Sequence, residues 1–509
     1  MKLIEKISRF FRAADGSRQN ELESSVATGY MAFSHTGQVV AARKALLASG
    51  LKADIKAPPP ALREGCDMVI EFPVPDQAAY LFVLEENKLQ PLKIAAADGP
   101  LTAPESLFHR TFFPDHLMVS AANMKLTIER QSGRIVNISG GGCPDVPALA
   151  AALMGRSISE ADYPEELSRS LCSFSLIQAR DEAARCFAAG LPESSQTVQN
   201  TDMFDNSSLP WPKKKPKAKE KPWLIVGTLA DPKATLAEGP FTYQDGQLIW
   251  AGREIPPERG TAALMAAYAL CAEALGLKAG RAVLAGDSGD GQGSRQVYNW
   301  LLERAAANSW SGLTFHYLFP LAESHDRIFL ALDELRPRPI LAADAGFMYV
   351  AKLCGQAPEY DLFTPDQGEM AYLADPKAPH PFYTRGALIQ KKEPDEDTFA
   401  DAYRENNTAE SMLVKGRNDN IVWRGRIVHR IEGPDIPALE AIGGTGDTAT
   451  GLASAFMSAG FSPARAAALA AHFNRRAGLL AAPDPGRPIS SMLEPLFTLL
   501  AREISAGNI

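Results

Sequence analysis

The C-terminal part of the chain alternates between short apolar runs and longer stretches with helical periodicity. The apolar runs lie at residues 281–285, 339–343, 361–363 and 412–414. Because strands separated by helices usually pair side by side, this alternation predicts a mostly parallel sheet with helices on both faces. In such sheets ligands bind beyond the carboxyl ends of the strands, so chemistry is expected in the loops that follow these runs.

The N-terminal part reads as a series of smaller units. The pattern predicts a helix and loop over residues 1–28, a small α/β domain over 29–90 and a middle α/β segment over 91–190. Strands in these two units are predicted at residues 29–33, 51–55, 68–72, 117–121, 125–128 and 135–138. Residues 191–222 contain PWPKKKPKAK and predict an extended linker, because proline and like charges oppose compaction. Residues 223–509 then form the parallel-sheet domain, so the predicted fold class is α/β.

The composition is that of a globular protein with a mild acidic excess. The 509 residues include 52 basic and 60 acidic side chains, which gives a net charge of −8, and 46% of the residues are hydrophobic. This hydrophobic share excludes global disorder, and the acidic balance argues against nucleic acid as a partner. The lysine run would also fit a nuclear signal, but it stands in an acidic chain. No apolar run reaches the roughly 18 residues that a membrane span needs.

The cysteines and histidines do not form recognisable metal motifs. The six cysteines contain no C-x-x-C pair, so neither a disulfide scaffold nor a structural zinc site is expected. The following histidines show no metal-ligand spacing: His109, His116, His316, His325, His380 and His429. We expect a cytoplasmic protein that forms a homo-oligomer.

Polar residues follow the apolar runs of the C-terminal part. The first run leads into the glycine-rich sequence GDSGDG at 286–291, and Asp344 follows the second run. Asp366 and Glu369 follow the third run, where they could hold water or Mg²⁺ near phosphates. Lys415 ends the fourth run and could neutralise nucleotide charge. Each feature alone has a plainer explanation, namely a helix N-cap for the acidic residues and a solvated strand end for the lysine.

The most distinctive motif is GGTGDTATG at residues 443–451, which runs into a helix predicted over 452–458. Glycines before a helix let backbone N–H groups approach an anion, and the helix dipole attracts phosphate. Asp447, within this motif, would lie beside a transferring phosphoryl group and take a proton from a substrate hydroxyl. A lone G-x-G-D sequence is usually only a turn. The position of all these residues after predicted strands therefore favours a shared site.

Residues from about 280 to 483 resemble the ribokinase-like superfamily, and within it the ADP- or ATP-dependent NAD(P)H-hydrate dehydratases. The sequence AADA at 342–345 is similar to the family's D-A-D-A, and TPDQGE at 364–369 is similar to T-P-H-P-G-E. VKG at 414–416 is similar to L-K-G, and the motif at 443–451 is similar to G-G-S-G-D-V-L-A-G. The resemblance implies a ribokinase-like three-layer α/β/α domain.

The resemblance also implies a reaction and a set of site residues. In the family, ADP or ATP phosphorylates the hydroxyl of a hydrated nicotinamide ring, and loss of phosphate restores NAD(P)H. Asp447 would then be the catalytic base, and Asp366, Asp344 and Asp447 would face the substrate. The implied nucleotide-binding residues are Lys415, Gly416, Arg417, Asn418, Asp419, Gly444, Thr445 and Gly446. Mg²⁺ is the expected cofactor, held by Glu369 through water. The expected partner is NAD(P)H hydrate or another small hydroxylated metabolite.

Residues 29–87 resemble a sulfur or selenium carrier domain. The residues that carry the likeness are FSHT at 33–36 and REGCD at 63–67. Cys66 fills the cysteine position of the family's loop and is a candidate reactive thiol, although cysteine is also a common small buried residue. A second candidate loop is GGGCPD at 140–145, which either approaches a ligand or forms a tight turn before a helix.

Departures from the dehydratase pattern keep two alternatives open. Asp366 stands where the family has histidine, and Gln367 stands where it has a second proline. An aspartate has the opposite charge preference toward an anionic dinucleotide. One alternative is therefore an ATP-dependent kinase of the same superfamily that acts on a sugar- or vitamin-type molecule. The other is a sulfur or selenium carrier that senses nucleotide without turnover.

Overall fold

A computed structural model describes residues 28–34, 36–56, 68–96, 108–143, 145–159, 170–191, 218–304, 310–376, 394–481, 484–507 and 509. The chain divides into two compact units, residues 1–106 and 107–509. The helix predicted within residues 1–28, most of the predicted linker and the candidate thiol of Cys66 lie outside the described residues. The finer five-part division of the chain stays a prediction.

The first unit contains an antiparallel sheet and two helices. Its strands are β1 (Thr28–Ala32), β2 (Asp54–Lys56), β3 (Val69–Pro73) and β4 (Lys93–Ala96), in the spatial order β2-β3-β1-β4. Helices α1 (Thr36–Ala48) and α2 (Gln77–Glu86) follow β1 and β3. Strand β2 begins at residue 54, three residues after the start of the strand predicted at 51–55. Tyr80 and Leu84 on α2 are buried, which fixes the face that this helix packs.

The second unit begins with an antiparallel meander, which we call the central segment (residues 108–191). Its strands are β5 (Phe108–Phe112), β6 (His116–Ala121), β7 (Met124–Glu129) and β8 (Ile135–Ser139), paired in that order. Helices α3 (Val146–Leu153) and α4 (Leu171–Ala188) follow. Apolar side chains of β6, β7 and β8 pack against both helices and form a separate core. The side chain of Ser170 caps α4 by accepting the N–H of Ser173.

A large sheet forms the rest of the second unit. Its strands are β9 (Trp223–Leu229), β10 (Ala237–Gln244), β11 (Gln247–Trp250), β12 (Arg253–Ile255), β13 (Arg281–Gly286), β14 (Gly312–His316), β15 (Ile340–Ala343), β16 (Leu362–Phe363), β17 (Ser411–Val414), β18 (Asp419–Trp423) and β19 (Arg426–Ile431). Within the described residues the spatial order is β12-β11-β10-β13-β9-β14-β15-β16-β17-β18-β19. The strands from β13 to β17 pair in parallel, and antiparallel strands extend both edges.

Helices cover both faces of this sheet. They are α5 (Gly260–Ala274), α6 (Gln292–Arg304), α7 (Ala322–Asp333), α8 (Gly346–Leu353), α9 (Gln367–Ala374), α10 (Glu396–Arg404), α11 (Ala438–Ala441), α12 (Thr445–Ser458), α13 (Pro463–Leu480) and α14 (Ser490–Ser505). One apolar core joins α5, α12, α13 and α14 to the sheet, and a second core joins α6 to α10 to the other face. The predicted mostly parallel sheet with helices on both faces is confirmed.

Strand β9 illustrates why both faces are buried. Trp223 and Ile225 belong to the core under α5 and α12, whereas Leu224 and Val226 belong to the core under α6 and α8. Successive side chains of a strand point to opposite faces, so a continuous apolar run buries both faces at once. This is the pattern from which the parallel sheet is predicted.

One helix boundary differs from the prediction. Helix α12 begins at Thr445, within the glycine motif, and not at residue 452. Gly444 has a φ of +103°, but Gly446 and Gly451 lie inside the helix. An added Cβ at Gly451 would meet the backbone of Leu264 on α5, so this glycine permits close helix packing and does not belong to a loop. No helix in the described part of the chain is long and apolar enough to cross a membrane.

Candidate active site

The predicted site residues meet at the carboxyl edge of the parallel strands. Asp344 follows β15, Lys415 follows β17, and Asp447 lies in the first turn of α12. His316, the last residue of β14, lies beside them. Because these strands run parallel, residues that follow them in sequence meet at one edge.

Asp447 is held by two donors. The N–H of Gly260, the first residue of α5, donates to its Oδ2 at 2.7 Å, and His316 Nε2 lies 3.0 Å from its Oδ1. His316 is fully buried, and its Nδ1 lies 3.0 Å from Thr261 Oγ1. The Asp447 side chain keeps 13% of its surface exposed. Each carboxylate oxygen has a second lone pair, so the held side chain can still accept a substrate hydroxyl.

The charge of Asp447 is set by opposing effects. Burial alone would raise the pKa of this carboxyl group, but the hydrogen bond and charge of His316, the charge of Lys415 and the N–H of Gly260 lower it. The net pKa lies below the ordinary value for aspartate. Asp447 is therefore anionic near neutral pH, as a proton acceptor must be.

Lys415 and Asp344 form a buried ion pair. Lys415 Nζ lies 3.2 Å from Asp344 Oδ1 and 3.1 Å from Oδ2, and Thr450 Oγ1 donates to Oδ2 at 2.6 Å. Burial would lower the pKa of Lys415, but Asp344 and Glu369 raise it above the ordinary value. An added Cβ at Gly446 would lie 3.3 Å from Lys415 Nζ, so this glycine leaves the ammonium close to the start of α12. The Lys415 side chain keeps 19% of its surface exposed, so its charge is largely buried. The plainer explanation of a solvated strand end therefore does not apply.

Asp366 and Glu369 form a reciprocal capping box at the start of α9. The N–H of Glu369 donates to Asp366 Oδ1 at 2.8 Å, and the N–H of Asp366 donates to Glu369 Oε2 at 2.9 Å. Tyr349 Oη donates to Glu369 Oε1 at 2.6 Å. Burial first, and then the charges of Asp366 and Asp344, raise the pKa of Glu369 to about 8 against the opposing effects of Lys415 and Tyr349. The plainer explanation of this pair as a helix cap therefore applies, and Glu369 is also protonated at neutral pH.

The other carried-over nucleotide residues have different surroundings. Asp419 accepts from Arg475 Nε at 2.6 Å and from the N–H of Gly416 at 3.1 Å, so it holds the loop in place. The Arg417 side chain is 72% exposed and pairs with Asp435. Thr445 Oγ1 lies 3.3 Å from two backbone carbonyls, and its own carbonyl accepts from Asn474 Nδ2 at 2.9 Å. Arg417 is thus the member of this loop most available to a ligand.

The other two glycine-rich loops also have defined surroundings. In the loop at 286–291, Asp287 is buried and accepts the N–H groups of Gly289, Gly291 and Ser294, so this loop closes around its own aspartate. The loop at 140–143 lies against the site, since an added Cβ at Gly142 would come within 2.8 Å of Glu369 Oε1. The alternative that this loop approaches a functional site is thus the one its position supports.

Sequence reasoning missed four residues of this site: Arg259, Gly260, Thr261 and His316. The histidine was set aside because it had no metal-ligand spacing, although it ends an apolar run, GLTFH, at the same edge as the other residues. That strand-end position was the available signal. Arg259 and Gly260 had no signal, because their role depends on where α5 begins relative to α12.

Three family models match this chain. Residues 323–498 match the NAD(P)H-hydrate dehydratase model, residues 28–96 match a Se/S carrier protein-like model, and residues 107–190 match a domain of unknown function. The family match at 323–498 supports an enzyme of the carbohydrate kinase superfamily. The predicted resemblances in both halves of the chain are therefore confirmed.

Solved structures with a similar fold have low overall scores. A ribokinase-like superfamily protein from Enterococcus faecalis has a TM-score of 0.35 at 14% identity and covers 55% of this chain and 87% of its own. An ADP/ATP-dependent NAD(P)H-hydrate dehydratase from Bacillus subtilis, co-crystallised with ATP and Mg²⁺, has a TM-score of 0.33 at 15% identity and covers 57% and 94%. Hydroxyethylthiazole kinase from Pyrococcus horikoshii has a TM-score of 0.32 at 17% identity and covers 55% and 88%.

Two curated relatives come from Methanocaldococcus jannaschii, and both are described as uncharacterized proteins. One is 32% identical over 216 residues, which is 42% of this chain and 89% of the relative. The other is 35% identical over 178 residues, which is 34% of this chain and 89% of the relative. The chain therefore belongs to the same family as these archaeal proteins, and its C-terminal region carries the NAD(P)H-hydrate dehydratase family model.

Proposed function

We propose that this protein transfers a phosphoryl group from ADP or ATP to a hydroxyl group of a small metabolite, and that the metabolite is NAD(P)H hydrate. The observation that carries the proposal is the anionic Asp447 at the start of α12, fixed by Gly260 and His316 and close to the Lys415 ammonium. A base, a cation and a helix N-terminus at one strand edge are what phosphoryl transfer needs. The family match at residues 323–498 supports the same chemistry.

In the proposed reaction the substrate hydroxyl oxygen attacks the terminal phosphorus of the nucleotide. The bond between that phosphorus and its bridging oxygen breaks, and the nucleotide leaves one phosphate shorter. The hydroxyl proton passes to the Asp447 carboxylate. The C–O bond of the phosphorylated ring then breaks to release phosphate, and a neighbouring carbon loses a proton, which restores the ring double bond. Lys415 and the first N–H groups of α12 stabilise the charge on the phosphoryl oxygens.

The acidic residues of the capping box fit a magnesium ion by their chemistry. Glu369 and Asp366 offer carboxylate oxygens, which are the hard ligands that Mg²⁺ prefers. The raised pKa of Glu369 marks a position short of positive charge, and a divalent cation beside it would favour the ionised form. Bound there, Mg²⁺ would neutralise phosphate charge. In this proposal Glu369 is a magnesium ligand whose side chain is oriented by Tyr349 and the N–H of Asp366.

The proposal is tested by incubating the full chain with hydrated NADH and either ADP or ATP. We expect the absorbance of reduced nicotinamide to return and phosphate to be released in equal amounts. Asp447→Asn should lower the turnover by about 10² or more, the size of a lost acid–base group. Asp333→Asn is the matched control, because Asp333 pairs with Arg338 at the opposite, amino end of β15. Equal turnover of the wild-type protein and the Asp447 variant would remove Asp447 from the mechanism.

A kinase for another small hydroxylated molecule is the second candidate. The observation in its favour is Asp366, which stands where the dehydratase family has histidine and shares the capping box with Glu369. An aspartate at this position has the opposite charge preference from histidine toward an anionic dinucleotide. This candidate predicts no recovery of reduced nicotinamide, but ATP consumption when a small sugar- or vitamin-type alcohol is added. A nucleotide-sensing carrier would instead bind ATP and turn over with none of these substrates.

A further inference from the structure

The central segment contacts several elements of the site through the end of β8. The Nδ2 of Asn137 donates to the carbonyls of Pro485 and Arg487, and its Oδ1 accepts the N–H of Gly443 at 3.2 Å. Ile138 offers its carbonyl to Arg259 Nη2. These contacts bring residues 137 and 138 to the start of the glycine motif, although no sequence motif places them there.

Arg259 lies next to the proposed base. It directly precedes Gly260, whose N–H donates to Asp447 Oδ2. Its Nη2, which donates to Ile138, also lies against Gly443, since an added Cβ there would collide with it. The guanidinium group is thereby held between β8 and the start of α12.

One end of this guanidinium group lacks a partner. Arg259 Nη1 has no exposed surface and no hydrogen-bond partner within the described residues. A buried donor without a partner costs about 1–3 kcal/mol, and more when it is charged. The arrangement is therefore costly unless another group supplies an acceptor at that position.

The neighbouring charges do not supply that acceptor. Within the described residues Asp447 accepts from Gly260 and His316 but not from Arg259 Nη1, and Lys415 is paired with Asp344. The hydroxyl of Tyr317, which also lies near Arg259, donates to the carbonyl of Gly141 at 3.0 Å. Arginine keeps its proton at all relevant pH values and presents a planar set of donors that suits phosphate and carboxylate.

We propose that Arg259 is an oxyanion-binding residue of this site, with Nη1 donating to a phosphate or carboxylate oxygen beside Asp447. This inference rests on the proposed function only for the reaction that takes place at Asp447. Two sources share this chemistry: the phosphoryl group in transfer, and an anionic group of the acceptor substrate. Arg259 is held in place by Ile138, so the central segment contributes indirectly to anion binding.

The test uses the full chain and three probes in titration calorimetry: ADP, a non-hydrolysable ATP analogue and inorganic phosphate, each with Mg²⁺. If Arg259 holds the transferred phosphoryl group, Arg259→Gln should weaken binding of the ATP analogue by about tenfold relative to ADP. If it holds an anion of the acceptor, that ratio stays constant, and binding of phosphate to the ADP-saturated protein falls by about tenfold instead.

Arg281→Gln is the matched control, because Arg281 pairs with Glu238 at the amino end of β13. Arg259→Lys keeps the charge and should recover part of the lost affinity, which guards against a glutamine variant that fails to fold. Phosphate titration of the nucleotide-free protein also tests Arg259 if the chain proves to bind no nucleotide. Unchanged binding of all three probes in a folded Arg259 variant would overturn the proposal.

Discussion

Two acidic side chains at the same strand edge, Asp447 and Glu369, differ in charge near neutral pH. Asp447 is held by His316 and the N–H of Gly260, and its pKa lies below the ordinary value. Glu369 also accepts two hydrogen bonds, yet its pKa is raised to about 8. Both carboxyl groups are largely buried, which raises both pKa values, so the difference lies in the groups that oppose or add to this effect.

The difference in pKa comes from the His316 hydrogen bond to Asp447 and from the neighbouring charges. Asp447 faces His316 and Lys415, whereas Glu369 faces Asp366 and Asp344 more strongly than it faces Lys415. Two carboxyl groups with separated pKa values are how one site provides a proton acceptor and a neutral acid at the same pH. The comparison therefore supports the proposed proton acceptance by Asp447, and removing the Lys415 cation should alter the charge of both carboxyl groups.

The largest effect is expected from Lys415→Met, which removes the cation that lies near both Asp447 and Glu369. It leaves Asp344 buried with only Thr450 and the N–H of Ala345 as donors, so we expect a loss of about 3–5 kcal/mol in the free energy of unfolding. Urea unfolding at pH 7 measures this loss. The double variant Lys415→Met/Asp344→Asn should recover a large part of it. If the free energy of unfolding of the single variant is unchanged, Lys415 does not stabilise the buried carboxylate of Asp344.

A smaller effect is expected from His316→Ala, because His316 contacts Asp447 and not Glu369. Loss of a hydrogen bond to a charged group costs about 1.5–3 kcal/mol, so turnover should fall roughly tenfold or more. Because His316 lowers the pKa of Asp447, its removal should also move the acid limb of the turnover profile to higher pH. His429→Ala, a change on edge strand β19, is the control. An acid limb that stays in place would separate His316 from the charge of Asp447.

Glu369→Gln tests the raised pKa of Glu369 through the pH dependence of the free energy of unfolding. The pKa of Glu369 is raised from 4.5 to about 8 in the folded chain, so the native state loses stability as the pH rises through this range. Glutamine mimics the neutral acid and cannot ionise. The variant should therefore gain stability relative to the wild type between pH 5 and pH 8, measured as urea midpoints. A constant difference between the two pH values would contradict a raised pKa.

The smallest effect is expected from Arg417→Ala at the exposed rim. Its ion pair with Asp435 is solvated, so the free energy of unfolding should change by less than about 1 kcal/mol. If Arg417 binds nucleotide as the family resemblance implies, the affinity for ADP should fall by at most about fivefold. Arg424→Ala, which removes an equally exposed pair with Glu410, is the control for both measurements. Unchanged ADP affinity would remove Arg417 from the nucleotide site.

The sequence predicted the strand-end residues of this site because parallel strands align their carboxyl ends. Asp344 and Lys415 could be placed at one edge from the order of the apolar runs, whereas Asp447 follows helix α11 and was predicted from its glycine motif. The sequence did not reveal the charge of Glu369, because that depends on the distances to Asp344 and Asp366. It also misplaced the start of α12, since glycines that pack closely and glycines that turn the chain look alike in sequence.

The contribution of the central segment was not predictable for a different reason. Its strands were recognised, but a repeating apolar pattern does not say which surface a small sheet covers. Asn137 reaches Gly443 and Gly142 reaches Glu369 through polar or backbone contacts that leave no periodic signal. Local patterns therefore predicted the elements, and only the three-dimensional arrangement showed which of them meet.

The bond between Asn137 and Gly443 joins positions that are 306 residues apart. At about 5–20 residues per second, the ribosome adds the second partner roughly 15 to 60 seconds after the first. During this interval a nascent chain carries β8 without the glycine motif that Asn137 will contact. The contact between the central segment and the start of α12 can therefore form only after both have been made, and until then the strands of that segment have their own separate core.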